Sequence, residues 1–152
     1  MPKIDLTPTT LTDFQRRVNA ITSTDQRQWG TMTTAQMFAH LRIGFEISNE
    51  ERESINESRE WLLPIVWYLM FELFTNWPHG KIKASRQFLD DTADDLEAER
   101  TQLLDTMSRF VEKSIADPDH KVLEPMLGHI SLKKWQRLHG VHTDYHLRQF
   151  DN

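Results

Sequence analysis

The sequence predicts an all-α protein: an antiparallel bundle of four principal helices, with an additional helical segment between the second and third of them. Three observations lead there. Apolar residues recur at intervals of three and four along most of the chain, the period of a helix with one buried side. Capping-box patterns stand ahead of several of these stretches. No stretch alternates convincingly as a strand does. At 152 residues the chain is sized for one domain with one core, spanning 1–152. Apolar residues make up 38% and charged residues 27%, which suits a soluble globular chain and excludes a disordered one.

The first helix is expected over about residues 10–22, where Leu11, Phe14, Val18 and Ile21 share a side and Thr10 with Asp13 reads as a capping start. The second follows Thr33 and Gln36, a T-x-x-Q box, and runs to about Asn49 with Met37, Phe38, Leu41 and Phe45 on its apolar side. His40 sits on the edge of that side. The additional segment covers about residues 57–76, with Pro64 placed to kink or divide it. A loop with Pro78 and Gly80 follows. A long helix is expected over about 92–116, its acidic start suited to a helix N-terminus and to solvent. The stretch ADPDHKVLEPMLGHI, with Pro118, Pro125 and Gly128, reads as a connection. Ser131 is the expected N-cap of a last helix over about 131–149.

That last helix carries the feature that most needs explaining. Trp135, His139, His142, His146 and Gln149 fall in one row at intervals of 4, 3, 4 and 3, the spacing of core positions in a packed helix. Leu138, Val141 and Tyr145 flank the row, while Lys133, Lys134, Arg137 and Asp144 are expected to face water. The inward face is therefore centred on histidine. Protonated together, three buried imidazoles repel; neutral, each needs partners for two ring nitrogens. Three readings stand at this point: individually satisfied core histidines, a frayed helix end that leaves them wet, or a divalent metal, which resolves that conflict directly. His142 and His146 are one turn apart in an H-x-x-x-H arrangement, and His139 is near enough to substitute for either. His40 is the natural third ligand, whereas His79, His120 and His129 lie in loops.

The remaining features narrow the function. The net charge is −5 with scattered basic residues, which argues against nucleic acid. The chain has no cysteine, so disulfides, thiolate ligands and a cysteine nucleophile are excluded. That, and an N-terminal stretch MPKIDLTPTT without an apolar signal core, fits a cytoplasmic protein. The run LLPIVWYLMFELF, residues 62–74, is too short and too polar to span a bilayer. It belongs to a series, Trp61, Trp67, Tyr68, Phe71, Phe74 and Trp77, expected in the core or in a homodimer interface, with a box for a small apolar ligand as the alternative.

Two segments, WGTMTTAQMFAHL at 29–41 and GHISLKKWQRLHGVHTDYHLRQF at 128–150, resemble the DinB-like superfamily, and within it an uncharacterised branch. The shared pattern is M-T-x-x-Q-M-x-x-H early and W-x-x-L-H-x-x-H-x-x-x-H-L-R-Q-F late. It is specific at both ends. Between residues 50 and 125 it rests on helix lengths. The resemblance implies a DinB/YfiT-like bundle of up-down-down-up topology, and a metal held by His40, His142 and His146, with His139 beside it. Two departures stand out. Glu124-Pro125 replaces a His-Pro common in this branch, and Tyr145 replaces a common histidine. Trp135, Gln149, His139 and Glu124 are thus expected to line the pocket, and Glu124 or His139 to supply a general base. Three neutral ligands leave a coordination position open, as in catalytic sites. Zinc or nickel suits such a set, and so does iron. The expected function is that of a metal-dependent hydrolase, or of a transferase using a low-molecular-weight thiol, acting on a small molecule. The alternative is a non-catalytic small-ligand-binding or dimerisation module with a vestigial metal site.

Overall fold

The computed structural model describes residues 4–73 and 76–150. Helix α1 spans Pro8–Ala20. It starts earlier than Thr10, because Pro8 lacks the N–H that a first-turn residue cannot use and Thr7 is the cap. Thr10 instead accepts a bond from the Thr7 amide at 3.0 Å. Helix α2 spans Thr34–Ser48 and is capped as expected: the Gln36 amide donates to Thr33 Oγ1 at 3.1 Å, and the Thr33 amide to Gln36 Oε1 at 3.0 Å. Helix α4, Leu96–Ala116, begins at Asp95, whose carboxylate accepts from the Ala98 amide at 3.0 Å. Helix α5, Leu132–Arg148, begins at Ser131, as expected.

The fold is not all-α. Residues expected to form a plain connection make an antiparallel hairpin, β1 Lys121–Glu124 and β2 Gly128–Ser131, with Val122 opposite Ile130. Its burial alternates along each strand: Val122 and Ile130 face the core, and Lys121 and His129 face water. Pro125 and Gly128, which resemble helix breakers, belong to the turn instead. Gly128 has φ +89°, and a Cβ there would collide with the Glu60 side chain. The hairpin packs on α2 and on α5, where Trp135 Nε1 donates to the Val122 carbonyl at 3.3 Å. The architecture is therefore a helical assembly with a two-stranded sheet closing one side.

The expected helix over 57–76 is also corrected. Helix α3 is only Leu63–Trp67, between a 3₁₀ turn at Glu60–Leu62 and a π-helical turn at Tyr68–Leu73. Pro64 sits in its first turn, where proline is tolerated, so the helix starts there rather than passing through. Phe71 and Trp77 are buried. Trp61, at 76% exposure, and Tyr68, at 56%, are not. Phe74 lies outside the described residues.

Core formation explains why α2 is buried on nearly every side. It packs against α4, α5 and the hairpin at once. Phe38, Leu41 and Phe45 join Leu103, Met107 and Phe110 of α4, with Phe14 and Val18 of α1. Its polar residues are buried too and need partners. Arg42 finds Glu46 and Glu99, so the acidic start of α4 is partly an ion-pair surface and not simply solvated. Asp144 departs from expectation in the same way: it is buried, pairing with Arg17 at 2.8 Å and Arg148 at 3.1 Å.

The segment before α1 lies across α5. The Leu6 amide donates to the Gln136 carbonyl at 2.9 Å, and Leu6 is fully buried. Gly140 permits this crossing, since a Cβ there would overlap the Ile4 carbonyl oxygen and stand 2.7 Å from its carbon. Gly140→Ala is expected to destabilise by about 1–3 kcal/mol, as overpacked sites do. Chemical denaturation checks this; a neutral or stabilising substitution would show that the crossing yields freely.

Candidate metal centre

Two helices bring three imidazoles together. The cap at Thr33 fixes where α2 begins, and His40 falls on its second turn, 2% exposed. On α5, His142 and His146 are successive on one side, and His146 is 7% exposed. The three ring centroids form a near-equilateral triangle: His40 to His142 4.8 Å, His40 to His146 4.7 Å, and His142 to His146 4.7 Å. One nitrogen from each lies within 4.8 Å of the others. Among the described residues this is the one group of three side chains set to hold a metal ion.

Two of the three outer nitrogens are committed, which fixes the tautomers of those two rings. His40 Nδ1 meets the Phe88 carbonyl at 3.0 Å, and a carbonyl can only accept, so the proton is on Nδ1. His146 Nδ1 likewise donates to Gln149 Oε1 at 2.7 Å. Both rings therefore turn a lone pair on Nε2 inward, as ligating histidines do when a second partner holds the other nitrogen. His142 Nε2 donates to His40 Nε2 at 2.9 Å. A metal would need that nitrogen bare, and the imidazole's other nitrogen can carry the proton. At metal–nitrogen distances of about 2.0–2.1 Å, the nitrogens of a tetrahedral set stand about 3.4 Å apart. Nitrogens within 4.8 Å of one another reach that set by small side-chain movements.

Burial keeps the cluster uncharged. Desolvation pulls His40 below the ordinary imidazole range, partly opposed by the Phe88 carbonyl. It pulls His146 down to about 3. His142 lies well below that range for the same reason, with repulsion from His146, His40 and His139 adding to it. Neutral imidazoles are the ligand form.

The other expected residues surround the triad but differ in role. His139 is stacked between Phe45, at 3.9 Å, and Trp135, at 5.0 Å, with Phe110 edge-on. Its Nε2 donates to Ser48 Oγ at 2.8 Å, and that hydroxyl donates to the Phe45 carbonyl. His139 is thus a core aromatic with one satisfied polar edge. Gln149 joins His146 to the backbone of Trp29, its Nε2 donating to that carbonyl at 3.4 Å. Glu124 ends β1, buried, with Oε2 accepting from the Met126 and Leu127 amides at 2.8 and 2.6 Å. Desolvation nonetheless raises it to about 7, and nearby Glu57 adds to the rise. All four, and the three clustered histidines, line one cavity of about 680 Å³. That is the size of a site for a small molecule.

A family model described as a protein of unknown function, DUF1569, matches residues 1–152. The chain belongs to that family. No curated protein and no solved structure matches it. In this DUF1569 chain the other histidines stay apart from the triad. His79 stacks on Trp29 at 3.7 Å, His120 meets Glu50 at 3.1 Å, and His129 meets Glu60 at 2.7 Å. Two contributors to the DUF1569 site were not foreseen. The Phe88 carbonyl orients His40, but a backbone oxygen leaves no mark on residue identity. The Tyr145 hydroxyl accepts from the Gly80 amide at 3.1 Å and ties the loop carrying Trp77 to α5; a tyrosine flanking the histidine row was the available signal. Among the described residues no helix is long and apolar enough to cross a membrane.

The Glu124 carboxyl makes a pH-dependent prediction. Its folded value of about 7 exceeds the ordinary 4.5, so the folded state holds the proton more tightly. Stability from this group is complete below 4.5 and lost as pH rises through 7, amounting to about 3 kcal/mol at 1.36 kcal/mol per pH unit. Glu124→Gln keeps an oxygen for both amides and is expected to stabilise the protein at pH 8 by up to about that amount. It should have little effect at pH 4.5. Thermal melts at the two pH values compare the variants; equal differences at both would contradict a buried, proton-holding Glu124.

Proposed function

We propose that this protein is a metal-dependent enzyme, and first a hydrolase, built around a divalent ion held by His40, His142 and His146. One observation carries the proposal: three neutral imidazoles, two with their outer nitrogens anchored, converge on the wall of a cavity large enough for a small molecule. Imidazole suits zinc and nickel best, and ferrous iron also. When bound, such an ion supplies Lewis acidity and lowers the pKa of a water or thiol at its open position.

The protein's own residues supply the rest. The cavity wall positions the substrate and excludes water. Glu124 lines the same space, and a carboxyl titrating near neutrality is matched to accepting a proton from a reacting group. His139 is not suited to that task, being stacked and bonded to Ser48. Glu124 is therefore the preferred of the two expected bases, which favours hydrolysis. Thiol transfer is the second form of the proposal; with no cysteine in the chain, the thiol would be a cosubstrate. Kinship with the DinB-like superfamily belongs to the same proposal. Support for it comes from the ligand distribution, one histidine from α2 and two from α5.

Elemental analysis of protein purified without a histidine tag tests the centre. About one divalent ion per chain is expected in the wild type, and loss of it in His40→Ala and His146→Ala. A wild type with no more metal than the two variants would end the proposal. Metal without turnover in a screen of esters, amides and thiol acceptors would replace the enzyme by a ligand-binding module.

A further inference from the structure

The cavity walls identify a class of occupant. Val66, Met70 and Phe71 come from α3 and the turn after it, Met126 and Leu127 from the hairpin, and Leu138 from α5. All six are apolar. The charged residues that line the cavity divide by position. Lys83, Arg86 and Asp91 are exposed and stand at its mouth. Inside, the one carboxylate is Glu124, with Oε2 already given to two backbone amides. The polar amides of the wall are similarly committed. Gln149 bridges His146 and the Trp29 carbonyl; Gln36 bridges the Thr33 amide and the Asp91 carbonyl. A charge placed among the six apolar side chains would lose its hydration with no counter-charge on that part of the wall to replace it.

We propose that the cavity takes an uncharged molecule with a mainly hydrocarbon or aromatic body, selected by polarity more than by shape. The shape tolerance comes from Met32, Met70 and Met126, flexible thioethers on three different parts of the lining. This names the substrate class of the metal centre proposed above and rests on that reading for the word substrate. The preference for an uncharged body belongs to the walls alone. It excludes a heavily charged thiol cosubstrate from the deep part of the cavity and places a neutral molecule there, its reacting end toward the three histidines.

The test compares two dyes with one ring system on chelator-treated protein. N-phenyl-1-naphthylamine is neutral; 1-anilinonaphthalene-8-sulfonate carries one sulfonate. Fluorescence titration is expected to show the neutral dye binding once per chain and at least about tenfold tighter than the sulfonate. Leu138→Trp, which fills the cavity, and Met70→Glu, which puts a carboxylate in its wall, should each weaken the neutral dye by about tenfold or more. Either one that retains the wild-type circular dichroism spectrum and melt suffices. Ile65→Ser and Leu69→Ser, on the exposed outer side of the same segment, should leave binding unchanged. Equal or tighter binding of the sulfonate would overturn the inference. So would loss of dye in the outer-side variants with retention in folded cavity variants. His40→Ala and His146→Ala separate this from the metal proposal: they should lose the ion and keep the neutral dye. A wild type that binds the dye as expected but no metal would end only the metal reading.

Discussion

Arg42→Ala is expected to lower the free energy of unfolding by about 3–5 kcal/mol, the loss seen when one partner of a buried ion pair is removed. Arg42 Nε meets Glu99 Oε2 at 2.6 Å and its Nη2 meets Oε1 at 3.2 Å, a bidentate fork. Its Nη1 reaches Glu46 at 2.6 Å. The side chains of Arg42, Glu99 and Glu46 are 8%, 12% and 16% exposed, so truncation leaves two carboxylates largely buried. Glu46 keeps Arg52, but among the described residues Glu99 pairs with Arg42 alone. Arg42→Lys should fall between, since lysine restores charge without the fork. Urea denaturation at pH 7 gives all three values. A loss below about 1 kcal/mol in Arg42→Ala would place the cluster with weak surface pairs.

The second large effect is acid unfolding at mildly low pH. His139 takes a proton near 6.5 when unfolded, but burial holds it to about 3 in the folded state. The unfolded chain therefore binds more protons between those values. Stability from this group is present above 6.5 and lost as pH falls toward 3, reaching about 5 kcal/mol at 1.36 kcal/mol per pH unit. His146 acts in the same direction. Glu124 opposes them with a smaller gain over pH 7 to 4.5. Urea midpoints of chelator-treated protein from pH 7.5 to 4 should fall steeply. His139→Phe keeps the aromatic stack, leaves Ser48 its bond to Phe45, and should give a shallower fall. Parallel curves for the two proteins would show that His139 is not held neutral.

These energies come from contacts of very different visibility in the sequence. The caps at Thr33 and Ser131 were legible because a cap is local: the acceptor and its amide are three residues apart. The H-x-x-x-H pair was legible for the same reason, and His40 because it marked the edge of an apolar side. The hairpin was not, since four-residue strands give too little alternation and their turn residues resemble helix breakers. Asp144 looked wet because its partner Arg17 is 127 residues away, on another helix. The short α3 hid inside an apolar run whose helix-like period continues on both sides of Pro64. Local chemistry was readable; whatever depended on a distant backbone or counter-ion was not.

The distance between the clustered histidines along the chain has a consequence in time. His40 precedes its partner His142 by 102 residues. At synthesis rates of about 5–20 residues per second, His40 waits roughly 5–20 s before its first partner has been made. An ion that needs all three nitrogens finds no home during that interval. The centre is then closed only on chains translated past α5, and its filling would mark a molecule whose synthesis got that far.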